Sequence, residues 1–274
     1  MKDLWKTSPP LTATGLVMIP LLVAFLIGVL VDPRVLTGMP IWMKPAKFAA
    51  SIAIYTLTLA WIFTFLPEWP RTRAIVGWTT ALTLLLEIVL IALQAARGRT
   101  SHFNVASAFD GLVFSVMGFA IVVQTLSMVP VAIALWRHSF ADRSFGWALR
   151  LGVTLTIVGG LTGGLMVTPT TQQLADARAG KGMRIAGAHT VGAPDGGPGL
   201  PGTGWSTTHG DLRVPHFIGL HAMQALPILA LGVSRHRFTP DRRTRLVVMG
   251  SVVYLGLFVT LLMQALSGSP LIAR

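Results

Sequence analysis

The sequence predicts an all-α integral membrane protein. Residues 1–274 form a single bundle of seven transmembrane helices, with a long Gly/Pro-rich loop between helices five and six. Three observations predict it. The chain is 53% apolar and only 12% charged, whereas soluble domains carry about 25% charged residues. The apolar residues fall into seven blocks, each close to the run of about 20 needed to cross about 30 Å of hydrocarbon. Blocks such as "LTLLLEIVLIAL" do not alternate, as the ten-residue strands of a barrel would. Backbone groups in lipid must be satisfied internally, so the blocks read as helices.

The first span covers residues 11–31. Its apolar stretch exceeds the 7–15 residues of a signal-peptide core and no A-x-A site follows, so it reads as a retained helix. Pro20 is expected to kink it. The second span covers 48–65. Lys44 and Lys47 precede it and read as snorkelling cations beside Trp42, with anion or headgroup binding as the alternative.

The third span, 75–95, carries Glu87 near its centre. A charge there costs at least about 2.5–3.5 kcal/mol, so it must be protonated, paired or solvated. Gln94 lies about 20° away on the same face and Arg97 about 60° further round. A polar stripe therefore runs Glu87, Gln94, Arg97 and on to His102 and Asn104. The readings are a structural hydrogen bond, pairing with a basic residue, or a proton position in a path.

The fourth span covers 112–136, with Asp110 ahead of it as a helix cap or a site residue. The fifth, 147–167, holds "GGLTGG", read as a packing seam of Gly159, Gly160, Gly163 and Gly164. Residues 168–214 form the long loop, read as a folded lid in preference to a floppy linker because of Trp205 and the turn-rich "PDGGPGLP". Asp195, Asp211 and Arg213 belong to it, and Asp211–Arg213 reads as a local ion pair.

The sixth span, 217–233, opens with His216, His221 and Gln224. The two histidines are about 140° apart around a helix and cannot readily share one ligand face. His221 and Gln224, about 60° apart, are expected to face the interior, with His216 toward the lid or another helix. The readings for His221 are an interfacial histidine hydrogen-bonded to a neighbour, a metal or haem ligand, or a proton relay or substrate contact. A metal or haem at His221 needs a second ligand from elsewhere, and His102 is the leading candidate. The seventh span covers 247–266. Gln124 and Gln264 read as interhelical amides.

The net charge of +12 does not indicate a nucleic-acid partner. The Lys and Arg residues cluster between apolar blocks, as membrane insertion produces. The absence of cysteine removes disulfides and thiolate metal sites. With seven spans the termini lie on opposite sides. Twelve of the 22 Lys and Arg residues fall on the N-terminal side and ten on the other, and "SRHRFTPDRRTR" concentrates five in one short loop. This places the N-terminus in the cytoplasm of a cell membrane and the C-terminus outside. The loops after spans one, three and five then share one face, which holds the unusual polar residues.

Three functions fit. The first is a redox, metal- or haem-dependent membrane enzyme. It would use Glu87, Arg97, Asp110 and Gln224 in catalysis and Arg97, His102, His216 and His221 around a cofactor, with His102 and His221 as metal ligands. The second is a small proton-coupled transporter using Glu87. The third is an accessory subunit docked on a protein partner in a larger membrane complex. All three have the lipid bilayer as surroundings.

Overall fold

The computed structural model describes residues 1–272. In chain order its elements are α1 (Lys2–Thr7), α2 (Pro9–Val31), β1 (Val35–Leu36), β2 (Met39–Pro40), α3 (Met43–Phe63), α4 (Pro70–Ala96) and α5 (Ala108–Arg137). There follow α6 (Arg143–Leu161), α7 (Gly163–Met166), α8 (Thr171–Arg178), β3 (Thr190–Val191), β4 (Gly210–Asp211), α9 (Arg213–Leu220), α10 (Ala222–Ser234) and α11 (Pro240–Leu266). Six helices are long and apolar enough to cross a membrane, and the pair α9–α10, bent by 50°, brings the number to seven if it counts as one span.

Several helices begin before the apolar blocks do. α2, α4 and α11 each start on proline, whose missing N–H is one that a helix's first turn leaves unpaired anyway. The hydroxyl of Thr239 accepts from the Arg242 N–H and caps α11. These polar first turns lengthen the helices without lengthening their apolar runs.

The fifth and sixth expected spans are each interrupted. α6 stops at Leu161, where the Thr162 hydroxyl donates to the Gly159 carbonyl at 2.6 Å, and α7 continues beyond. The sixth breaks at His221 between α9 and α10. The two breaks lie near a close contact: a Cβ on Gly159 would lie 2.4 Å from the Gly219 Cα, and the reverse holds too. The backbone groups freed at the break are taken up by side chains. The Met223 N–H donates to the Thr156 hydroxyl at 3.1 Å, and the Tyr254 hydroxyl donates to the Ile218 carbonyl at 2.5 Å.

The main core joins α2, α3, α5, α6 and α10 through Leu11, Leu59, Phe63, Val131, Leu149 and Met223. A second cluster, Met18, Ala49, Ile52, Leu84 and Ile88, fills the space between α2, α3 and α4. The outward sides of α2 and α11 are lined with large apolar residues such as Val23, Leu30, Val253 and Met263, the surface that suits lipid contact.

The loops sort to two ends. At one end, Arg150 donates to the carbonyls of Leu135 and His138, and Arg243 to that of His236. At the other, the segments after α2, α4 and α7 meet the C-terminal end of α11. Arg34 donates to the Ala96 carbonyl (3.0 Å) and Lys47 to the Thr203 carbonyl (3.0 Å). The Ala186 N–H donates to Phe103 (2.8 Å), and Gly210 packs directly on Ala265.

Within residues 168–212, α8 carries a Thr170/Gln173 capping box, and β3 pairs antiparallel with β4, Thr190 opposite Asp211. Gly187 has φ +108, and a Cβ there would lie 2.3 Å from the Met166 carbonyl oxygen. Both the left-handed backbone and the close approach demand glycine. Trp205 packs edge-on to Phe217 at 5.6 Å.

Candidate functional site

The buried polar groups at the loop-rich end begin with α4. Gly98, at φ +70, ends that helix, as glycine does at the residue after a C-cap. The chain then folds back toward the bundle. Phe103 takes φ 63, a conformation that costs a bulky residue on the order of 1–3 kcal/mol. Asn104 braces the turn: its amide donates to the Thr100 carbonyl, and its oxygen accepts from the Ala106 N–H.

The outcome is that His102 is carried to Glu87. The imidazole Nε2 stands 3.5 Å from the Glu87 Oε1, and Nδ1 lies 3.1 Å from the Ser101 hydroxyl. Glu87 is 1% exposed, and neither of its carboxylate oxygens has a hydrogen-bond partner. The His102 ring lies 5.7 Å from that of Phe48 and 6.1 Å from that of Phe103. One turn before Phe48, the Lys44 ammonium sits 5.9 Å from the Phe48 ring.

On the far side of Phe103, 4.8 Å away and edge-on, is the ring of His189. Its Nδ1 is 2.6 Å from Asp195 Oδ2. Asp195 also accepts the N–H groups of His189 and Thr190, at 3.0 and 2.9 Å. Burial works against ionising Asp195, but the imidazole and the backbone donors outweigh it and hold the carboxyl well below the usual carboxylate range. Burial pushes His189 below the ordinary imidazole value even though Asp195 pulls the other way. His102 is held well below that value by burial and by the neighbouring Lys44, His189 and His216. Both rings are therefore neutral at pH 7. With Nδ1 donating to Asp195, the His189 Nε2 is left as a base.

His216, on α9, packs against α6. Its Nδ1 donates to the Gly159 carbonyl at 2.9 Å, so its Nε2 is also an acceptor. His221 lies apart at the bend, its Nδ1 2.8 Å from the Phe217 carbonyl and its ring 4.0 Å from that of Phe217. His216 thus packs against another helix, one of its two expected placements, while His221 bonds back to its own helix beside the break. The break turns the two residues differently from a continuous helix. Gln224 faces α3, donating to the Thr58 hydroxyl at 3.3 Å, with its carbonyl oxygen unpartnered. Of the expected metal pair, His102 stands beside Glu87 and His221 beside Phe217. Among the described residues no three His, Asp or Glu side chains are placed to hold a metal ion.

Arg97 and Asp110 form a separate knot between α4 and α5. The guanidinium is 2.9 Å from Asp110 Oδ1, which also accepts from the Gln94 amide at 2.9 Å. Arg97 bonds the Gln94 oxygen as well and lies 4.5 Å over the Phe109 ring. The cap of α5 is Ser107, which accepts the Asp110 N–H, while its own hydroxyl donates to Asp110 Oδ2 at 2.8 Å. Arg213 pairs with Asp211 at 2.5 Å, the local ion pair that its spacing suggests. Gly159 and Gly160 pack on Gly219 and Thr125 and Gly163 faces the His216 ring, whereas Gly164 meets nothing within 4 Å.

Sequence reasoning missed the His189–Asp195 pair and the place of Lys44. A histidine followed six residues later by an aspartate in a glycine-rich turn was the available signal. Nothing local said that the turn would close on itself.

By helix length and composition, these features define a multi-pass helical membrane protein with an acid and imidazole cluster at one end of the bundle. The chain matches no protein-family model, no curated protein and no solved structure.

Proposed function

We propose that the protein is a seven-span, proton-coupled transporter of the cell membrane in which Glu87 and His102 carry the proton. One observation carries this reading: a carboxylate inside an apolar helix, with no hydrogen bond to either oxygen, faces an imidazole nitrogen at 3.5 Å. A single proton held by the pair leaves it with no net charge wherever that proton sits. Losing it strands a charge in hydrocarbon, at a cost of at least about 2.5–3.5 kcal/mol. Such a pair exchanges its proton only when water or a solute reaches it, which is what coupling requires. The bend between α9 and α10 supports the reading by analogy with transporters built on discontinuous helices. Residues 168–212 serve as the lid, with His189 and His216 beneath it as relays. The lid side is extracytoplasmic and the N-terminus cytoplasmic.

The test is uptake by proteoliposomes of labelled amino acids, carboxylates and sugars, driven by an inward proton gradient. Glu87→Gln abolishes gradient-driven uptake. Unaltered uptake by that variant, with the same pH dependence, overturns the proposal.

A second reading, an acid–base membrane enzyme, is favoured by the 2.6 Å bond that fixes the His189 tautomer and leaves Nε2 as a general base under the lid. His189→Gln separates the two readings. It abolishes turnover in an enzyme, but only slows a relay that Glu87 and His102 complete.

A further inference from the structure

Arg73, Thr80, Glu87 and Gln94 stand seven residues apart on α4. Seven residues advance a helix by about 10.5 Å and return within about 20° of the same direction. The four side chains therefore form one stripe about 30 Å long, the thickness of a bilayer's hydrocarbon. Gln94 and Glu87 end in the groups of the loop-rich end already described. The rest of the stripe runs to the opposite end and serves none of them.

That half is polar without partners. Of the eight buried side-chain atoms lacking a hydrogen bond among the described residues, five lie along this line: Ser8 Oγ, Arg73 Nε, Thr80 Oγ1 and the two oxygens of Glu87. Thr80 differs from many threonines of the long helices. Thr12, Thr14, Thr56, Thr58, Thr83 and Thr154 each donate to the carbonyl four residues before, but the fully buried Thr80 hydroxyl does not. Ser8 likewise precedes α2 without capping it. Its hydroxyl lies against α4, 2.8 Å from where a Cβ on Gly77 would be. A cavity of about 170 Å³ opens beside Ser8 and Arg73, bounded by Thr7, Pro70 and Trp78. At about 30 Å³ per molecule, it has room for several waters.

A buried hydroxyl or guanidine nitrogen with no partner costs about 1–3 kcal/mol each. Water offsets that cost, and it alone suits a series that includes a pure donor, two hydroxyls and an acceptor. We propose that a file of water enters at Ser8 and Arg73, passes Thr80 and reaches Glu87, making this stripe the proton's route from the end opposite the lid. Leu84, one turn after Thr80 and three residues before Glu87 on α4, packs with Met18, Ile52 and Ile88. This apolar constriction closes the file in the present conformation, as dewetting gates do in channels. About three waters at hydrogen-bond spacing bridge the gap when it opens. The proton's destination rests on the role proposed for Glu87. Water access to Thr80 does not.

The chain contains no cysteine, so Thr80→Cys carries the only thiol. A thiol reacts through its thiolate, which forms in water and not in lipid. Silver ion, which reacts with thiolates and is small enough to follow water in single file, applied to vesicles from the α1 side modifies Thr80→Cys and spares Leu82→Cys, whose parent side chain is 59% exposed on the outer surface. Equal inertness of the two thiols overturns the file. Thr80→Val, which keeps the shape and removes the hydroxyl, slows proton-driven uptake at least tenfold, and unchanged uptake overturns the route. Modification at Thr80→Cys with a fully active Glu87→Gln overturns the carrier and leaves the file. An unmodified Thr80→Cys with an inactive Glu87→Gln does the opposite.

Discussion

Glu87 and His102 meet at 3.5 Å although the end of α4 and a reversed loop lie between them in the chain. The contact is made by backbone shape. Gly98 and the left-handed Phe103 turn the segment so that an imidazole outside the helix is delivered beside a carboxylate within it.

A carboxyl group kept for function is a poor core residue. Replacing it by an apolar side chain of similar size removes a buried group with no partner. Glu87→Leu is therefore expected to raise the melting temperature of the detergent-solubilised protein while abolishing uptake. A fall of several degrees would show instead that the carboxyl holds the bundle together.

Acidification should weaken the fold. His102 and His189 bind protons less readily when folded than the ordinary imidazole value of 6.5. Below about pH 6.5 the unfolded chain takes up protons that the folded one refuses, so stability falls as pH drops through that value and is fully present above it. Each group contributes about 1.4 kcal/mol per pH unit until its own folded-state titration is reached. Denaturation midpoints between pH 7.5 and 5.5 measure the slope, and His102→Gln should reduce it.

The Arg97–Asp110 knot should be structural. Asp110→Asn leaves a part-buried guanidinium short of its carboxylate and is expected to cost about 1–3 kcal/mol, read from thermal unfolding in detergent. The double variant with Arg97→Gln should recover part of that loss. Uptake per folded molecule should change little in either.

The contact between α6 and α9 tolerates no side chain. Gly159→Ala places a methyl group 2.4 Å from backbone atoms, and overpacking of this kind costs about 1–3 kcal/mol or more. Gly164→Ala, with nothing within 4 Å, should be neutral. Yields of folded protein for the pair test whether the "GGLTGG" run works through its first two glycines.

Hydropathy made the helices legible, because crossing lipid demands long apolar runs wherever they occur. It could not show the break at His221. That break lies beside the contact of Gly219 with Gly159, which joins segments distant in sequence. The stripe from Glu87 to Gln94 was readable from helical period alone, and so was the gathering of polar loops, from alternation of the spans. The companions of His102 were not. The His189–Asp195 pair depends on how a glycine-rich turn closes. Arg97 was expected to be available to a ligand, but Gln94, Asp110 and Phe109 occupy it.

The segment over the loop-rich end is moored on both sides of its turn at Pro194–Pro201. Before the turn, Ala186 and Gly187 bond Phe103 and Gln173. After it, Thr203 accepts from Lys47 and Gly210 rests on Ala265. A cut at Gly196 would therefore not set either strand loose. The two fragments, made as separate polypeptides, should find each other in the bilayer and rebuild the whole, much as a hinge works once its pin is supplied in two lengths.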